Sequence, residues 1–593
     1  MRECGSVNNC AWIGRFAACV AAAATVIHIS AGAMSAGAPP KLDEALQQRA
    51  GDTGTVRVIV TAEKGRRREV SRRLSRREHR RLAEHPAIDA ITAELPTAAL
   101  DELANDPAVK RVSLDAPVAS FADEVGTLAT NMLLPTLGLP HQTLTGNGVG
   151  VAVIDSGIVS HSELTVAAFY DFLNGGKATK PVDPFGHGTH VAAMIRDNQS
   201  KSDARYRSVA KGVRLIGLRA LDATGAGYTS TVIQAIEFAI TKKATLGIDV
   251  LNLSLGHPIY EPAATDPLVQ AVERAVAAGI VVVVSAGNEG MNRQTGTVGY
   301  AGITSPGNAP SAITVGALDT KNTTTRADDT VPTFSSRGPT WYDGYAKPDL
   351  VAPGRRVVSL MAKGSSLYNQ YPAYRVDVAT RTYMTLSGTS MSAAVTSGVV
   401  ALMIEASRAT NPGRVALPPN ALKAILQHTA VMVPTVDELT QGAGALNAAG
   451  AIALARAIDP TRPSGSWWLT SAVAPFTRLP NGEDLAWSQR VFWGEHVVTG
   501  DTVYVHQPAW TQAVVWGNAV VWGNAVVWGN AVVWGNAVVW GNNVVGYNVN
   551  GQTNYSSGID WSTVNPDAVV WGNLCGVNNL APAKSVQQFT PVF

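Results

Sequence analysis

At 593 residues the chain exceeds one ordinary domain and predicts three or four units. Its 46% apolar residues are ample for a large core, and a net charge of +2 gives no argument for a nucleic-acid partner.

Residues 1–38 read as an export signal. Arg2 and Arg15 supply positive charge, Phe16 to Ile29 is an apolar, Ala-rich run, and small residues follow at Ala31-Gly-Ala33 and Ala36-Gly-Ala38. The run is short for a membrane span. Cys4, Cys10 and Cys19 leave with this segment, so Cys575 alone remains and no internal disulfide is expected. The protein is therefore expected outside the cell, secreted or on the cell surface.

A small α+β unit is predicted over 39–121. Val56-Arg-Val58-Ile-Val60 reads as a strand, and a basic helix follows. Between Lys64 and Arg81 stand ten Lys or Arg, with Glu69 and Glu78 against them. A nucleic-acid or membrane patch is one reading. The solvated face of an amphipathic helix is preferred, because Val70, Leu74 and Leu82 fall near one side. Ala90 to Leu95 (strand), Ala98 to Ala104 (helix) and Val109 to Leu114 (strand) complete the unit, and the last strand runs on to Phe121.

From 122 to 458 short apolar runs alternate with helices. The runs are Val149–Ile154, Arg214–Leu218, Val250–Leu255, Ile280–Ser285 and Ala312–Val315. Thr231–Thr241 and Leu268–Ala278 are periodic helices between them. Near-continuous apolar strands are those covered on both faces, so the fold class is α/β, a parallel sheet with helices on both sides. Active groups then gather at the carboxyl ends of the strands, and Asp155 stands at such an end.

Three segments carry the chemistry: Val151-Ala-Val-Ile-Asp155-Ser-Gly-Ile158, Gly186-His187-Gly-Thr-His-Val-Ala192 and Ser387-Gly-Thr-Ser390-Met-Ser392. A serine hydroxyl needs a base to remove its proton, and the base needs a carboxylate to fix its tautomer. Ser390 also opens the apolar stretch Met391–Glu405, which reads as a buried helix whose N-terminal dipole and N–H favour a developing oxyanion. Asn288, after a four-valine strand, offers an uncharged donor to the same oxyanion. His187 and His190 could suggest a metal pair, but no Glu or third His stands at ligand spacing, so no metal is expected.

In these motifs and their order the chain resembles the subtilase family of serine peptidases over about residues 127–456, with weaker similarity to the family's pro-segment over about 50–121. The resemblance implies Asp155, His187 and Ser390 as the catalytic triad and Asn288 as the oxyanion-hole side chain. It implies a peptide-binding cleft between Ser254, Leu255, Gly256 and the facing Gly225, Gly227, Tyr228. Ala286, Gly287 and Gly299 would wall a deep pocket for a large apolar or aromatic residue before the cut, with Glu289 at its mouth. Protein or peptide substrates and a self-inhibiting pro-segment follow, with cleavage between Phe121 and Ala122. The chain departs from the family in having Ser392 and Ala394 where Ala and Pro are usual, which bears on rate. Ser335–Pro339 and Lys347–Gly354 match family turns. No cofactor is implied for the chemistry. Structural calcium is a family habit, for which Asp171, Asp183 and Asn198 offer oxygens.

Residues 459–512 read as a junction. In 513–593, Ala-Val-Val-Trp-Gly-Asn occurs five times in tandem from Ala513 to Asn542 and once more at Ala568–Asn573. The period predicts a β-rich array, either a stacked surface or self-association module or an expanded spacer. Two readings compete with a hydrolase. One is a surface protein with a carrier fold, which would not need the triad and Asn288 together. The other is an acyl-transfer enzyme, which Ala394 leaves open.

Overall fold

The computed structural model describes residues 40–499 with interruptions, among them 121–131, 140–142, 199–204 and 462–468, and beyond 499 only the backbone of strands between 514 and 556. The signal-like segment and the sixth hexapeptide copy lie outside the described residues.

The first unit comprises α1 (Glu44–Gln48), β1 (Thr55–Ala62), α2 (Arg67–Arg76), β2 (Arg80–His85), β3 (Ala90–Pro96), α3 (Leu100–Asn105), β4 (Val109–Leu114) and the detached β5 (Pro117–Ser120). The strands pair antiparallel in the order β2-β3-β1-β4. Val56, Val58 and Val60 of β1 meet Val70 and Leu74 of α2 and Leu100 and Leu103 of α3 in one core. One expectation is corrected. The helix stops at Arg76, and Leu82 belongs to the edge strand β2, where Arg80 faces Glu94 at 3.0 Å. The helical spacing of Leu82 was coincidental, because β3 offered that stretch a hydrogen-bonding edge. Part of the basic run is paired locally: Glu69 pairs with Arg66 and Arg73, Asp106 with Arg73, and Glu102 with Arg77.

The larger unit begins with α4 (Leu133–Thr136), β6 (Gly150–Asp155), β7 (Ala168–Asp171), β8 (Lys177–Ala178), α5 (His187–Ile195), β9 (Arg214–Arg219) and β10 (Ala226–Tyr228). It continues with α6 (Thr229–Leu246), β11 (Ile248–Leu253), β12 (Leu255–Gly256), α7 (Pro267–Ala277), β13 (Val281–Ser285), β14 (Ile313–Leu318), β15 (Leu350–Pro353) and β16 (Val357–Leu360). Then come α8 (Ser366–Gln370), β17 (Arg375–Val378), β18 (Arg381–Leu386), α9 (Thr389–Thr410), α10 (Pro419–His428), α11 (Glu438–Gln441) and α12 (Ala448–Ala457).

Eight strands form the main sheet in the order β15-β14-β13-β11-β6-β9-β7-β8, parallel except for β8. One face packs on α5, α9, α10 and α12, the other on α6 and α7. The five predicted strands are all present within this sheet. β7, β8 and β15 were not predicted; β15 lies inside Lys347–Gly354, where flanking Pro and Gly read as turns. Among the described residues α9 alone is long and apolar enough to cross a membrane, and it is the central helix of the core.

The predicted boundary at 458 does not coincide with an edge of the core. β19 (Phe476–Arg478), β20 (Asp484–Ala486), β21 (Arg490–Trp493) and β22 (His496–Thr499) follow. Thr477 Oγ1 accepts from both Asn447 Nδ2 at 2.9 Å and Trp487 Nε1 at 2.8 Å, so the β19–β20 hairpin is tied to the start of α12. Ser488 N donates to Ala430 O at 2.7 Å, and Phe492 is buried.

In the repeats, β23 (Val514–Trp516), β25 (Val526–Trp528) and β27 (Val538–Trp540) pair in parallel, as do β24 (Ala519–Trp522) and β26 (Ala531–Trp534). Each hexapeptide thus pairs with the next but one, Trp516 opposite Trp528 and Trp522 opposite Trp534.

Candidate active site

Asp155 ends β6, His187 opens α5 and Ser390 is the second residue of α9; all three are buried. His187 Nδ1 lies 2.9 Å from both Oδ1 and Oδ2 of Asp155. A carboxylate accepts only, so Nδ1 carries the proton and Nε2 is left as the basic nitrogen. Ser390 Oγ donates to Ser254 O at 3.2 Å, a long O–H···O bond that is easily given up. Ser254 Oγ returns a bond to Ser390 O at 3.0 Å, joining the start of α9 to the residue before β12.

Asn288 is buried beside this helix start. Its Oδ1 accepts from Thr389 N and Thr389 Oγ1, each at 3.1 Å. Those two donors fix the amide's orientation. Nδ2 makes no hydrogen bond among the described residues. A buried donor held open next to Ser390 suits an oxygen that arrives with substrate. Thr389 was not singled out in the sequence, although its place in Gly-Thr-Ser marks it.

Asp183, one of the candidate calcium ligands, has its carboxylate engaged by four donors. It accepts from Ser156 Oγ (2.9 Å), Gly186 N (2.7 Å), Thr189 N (2.8 Å) and Thr189 Oγ1 (2.6 Å), clamping the Asp155 loop to the first turn of α5. Burial pushes its carboxyl up despite these bonds. Asp171 is likewise taken, by Leu173 N, Asn174 Nδ2 and Arg219. The backbone N of Asn198 bonds Glu163 O at 2.6 Å. Among the described residues no three His, Cys, Asp or Glu side chains are grouped to hold a metal ion. His190 donates from Nε2 to Met384 O at 2.9 Å, and burial lowers its pKa to about 3, so it is a neutral core residue.

β5 is the middle strand of a three-stranded sheet, antiparallel to β10 on one side and β12 on the other. Ala119 stands opposite Ala226 and Gly256, Val118 opposite Gly227, Pro117 opposite Tyr228, and Ser120 opposite Leu255. Ser120 N also donates to Gly225 O at 3.1 Å. The named cleft residues therefore flank the chain's own segment 117–120. Val118 is buried with Leu221, Val232 and Leu255. Phe121 and Ala122 lie outside the described residues. Ala286 is buried and Gly287 has a φ of +106°, with Ser336 Oγ only 2.8 Å from where a Cβ would sit. At Gly299 an added Cβ meets nothing within 4 Å, and Glu289 is exposed.

The first unit meets the larger one through buried polar groups. Asp115 accepts from Ser230 N at 2.8 Å at the start of α6 and pairs with Arg57 at 2.6 Å. Arg111 pairs with Glu261 at 2.7 Å, and Glu237 accepts from Ala87 N at 2.8 Å. Burial raises the carboxyls of Glu261 and Glu237 to about 7 and that of Asp43 to about 6. Arg111 opposes the rise at Glu261 and Arg67 at Glu237, while backbone donors and Arg111 oppose it at Asp43. His85, 4.0 Å from Glu237, is lowered to about 4 by burial and then by Arg67.

Comparison with known proteins gives a consistent picture. Residues 146–451 match the model of the Subtilase family. The chain is 37% identical over 373 residues to Serine protease AprX of Bacillus subtilis, covering 62% of this chain and 79% of that one. It is 35% identical over 319 residues to Subtilisin E of the same species, covering 54% and 71%. It is 34% identical over 322 residues to Alkaline protease of Shouchella clausii, covering 54% and 70%. Among solved structures it resembles fervidolysin from Fervidobacterium pennivorans, a keratinolytic enzyme related to subtilisin, with a TM-score of 0.54 at 21% identity, covering 70% of this chain and 62% of that one.

Proposed function

We propose, for a chain that belongs to the subtilase family of serine endopeptidases, an exported enzyme made as a self-inhibited precursor. The observation that carries this reading is the chain's own segment 117–120 lying as a strand in the cleft, beside the residue whose carbonyl receives the Ser390 hydroxyl. An extended peptide bound by main-chain hydrogen bonds on both edges is how a broad-specificity peptidase holds substrate.

In the proposed reaction His187 Nε2 takes the Ser390 proton as Oγ attacks the scissile carbonyl. Asp155 stabilises the imidazolium through Nδ1–H. Asn288 Nδ2 and the Ser390 N–H donate to the oxyanion. The imidazolium then protonates the leaving amine, an acyl-enzyme remains, and water activated by His187 releases the acid. No cofactor enters these steps. The open space at Gly299 supports a preference for large apolar or aromatic residues before the cut, and exposed Glu289 would sit at the mouth of that pocket.

The register supports Phe121 as the residue before the processing cut, with Val118 four before it. A Ser390→Ala precursor is expected to stay whole in a host lacking other proteases, while the unaltered chain yields a new N-terminus at Ala122. Normal processing of the variant would rule self-cleavage out.

The pro-segment's grip should depend on pH. Glu237, Glu261 and Asp43 have raised pKa values in the bound state, so their contribution to binding is full below about 4 and is lost as pH rises through 6 to 7. His85 works oppositely: its contribution is present above about 6.5 and lost towards 4. Three groups outweigh one. Freshly processed enzyme with its pro-segment still bound is expected to gain activity faster at pH 8 than at pH 5. Faster release at pH 5 would mean that His85 dominates.

For the C-terminal region we propose a two-faced β-solenoid of twelve-residue coils, supported by the pairing of alternate hexapeptides. Its role would be attachment or association outside the cell, apart from catalysis. Export rests on the N-terminal sequence pattern.

A further inference from the structure

Asn252 of β11 is fully buried between Val153 of β6 and Val283 of β13. Leu251 and Leu253 belong to the core on the α6–α7 side and Val250 to the core around α9, so strand alternation turns Asn252 towards α9. There Ser397 Oγ donates to Asn252 Oδ1 at 2.9 Å, and Asn252 Nδ2 donates to Ser254 Oγ at 2.9 Å. Ser254 Oγ in turn donates to Ser390 O at 3.0 Å. Ser397 follows Ser390 by two turns of α9, which returns it to the same face of the helix. All four residues are closed off from solvent. An amide inside a sheet of valines and leucines is costly unless its polar atoms are bonded, and here both are.

The bonds run in one direction. An amide nitrogen only donates, so Ser254 Oγ accepts from Asn252 and has its single proton left to give. That proton goes to Ser390 O. Ser397 keeps the amide this way round by supplying a proton to Oδ1. Turned over, Asn252 would present its oxygen to Ser254 and draw the proton away from Ser390 O. The Ser254 hydroxyl thus holds the start of α9 against the same residue whose carbonyl receives Ser390 Oγ.

We infer that Ser397 and Asn252 are positioning residues for the nucleophile, acting through the Ser254 hydroxyl on the Ser390 backbone. The inference rests on the reading of Ser390 as the nucleophile. The backbone position at Ser390 sets where Oγ starts its attack, and a small misplacement of a reacting group costs rate steeply. β12 keeps its own main-chain edge for substrate, so the effect falls on turnover rather than on binding.

The test uses the processed full-length enzyme and a chromogenic peptide with an aromatic residue before the cut. Ser397→Ala is expected to lower kcat by about three- to tenfold with KM within about twofold, and to slow fluorophosphonate labelling by the same factor. Ser254→Ala should cost at least as much. The double variant should be no slower than Ser254→Ala alone, because the relay ends at that hydroxyl. Losses of packing at two separate places would multiply instead. Ser397→Thr, which keeps the hydroxyl, should turn over faster than Ser397→Val, which has the same shape without it. This pair carries the test if the Ser254 variants do not fold. An unchanged kcat in Ser397→Ala, multiplied losses in the double variant, or equal kcat for Thr and Val would overturn the inference. An unaltered enzyme that hydrolyses the peptide but takes no fluorophosphonate at Ser390 would strike the nucleophile assignment, and the inference with it.

Discussion

Ser390→Ala is expected to lower kcat on a peptide with an aromatic residue before the cut by about 10⁶-fold, with KM little changed. The nucleophile and its base act as a unit, so His187→Ala should cost about as much and the double variant hardly more. A fluorophosphonate should label the unaltered enzyme at Ser390 and neither variant, because only a base-activated hydroxyl reacts quickly. The Nδ1–H that His187 shares between both Asp155 oxygens supports this, since the imidazole is held in one tautomer before substrate arrives. Substantial turnover by Ser390→Ala would remove the triad from the account.

Asn288→Ala is expected to lower kcat by about 10²–10³-fold, the general size of one oxyanion donor, again with KM nearly constant. The reason is local. With Oδ1 held by Thr389, Nδ2 would on the proposed mechanism meet its acceptor only as the carbonyl oxygen gains charge, so that bond would be made mainly in the transition state. Thr389→Val removes one of the two donors to Oδ1 and should give a smaller loss of the same kind. A variant at Asn288 that raised KM and spared kcat would make the side chain a substrate-binding group instead.

The parts of the site that were legible in the sequence are those with a local signature. Asp155, His187, Asn288 and Ser390 each sit where a Gly-bearing turn meets an apolar run, and that pattern alone fixes strand end or helix start. The parts that were not legible depend on distant partners. Asp183 looks like a free oxygen donor until Ser156 and Thr189 close on it. Leu82 keeps helical spacing yet joins a strand, because β3 supplies an edge. The junction with its several Trp and Pro looked like a linker because its partners, Asn447 and Ala430, belong to an earlier part of the chain. The period of six announced a repeat but not that neighbours in sequence would lie in different sheets.

That last feature bears on inheritance. Tandem repeats gain and lose units when DNA is copied, and here the backbone distinguishes odd from even changes. Since each hexapeptide pairs with the next but one, adding one unit transfers the rest of the array to the opposite sheet. Adding two returns it to the same side, one coil further out. Descendant sequences should therefore differ in steps of twelve residues more often than six, and the array can change length without its ends changing faces.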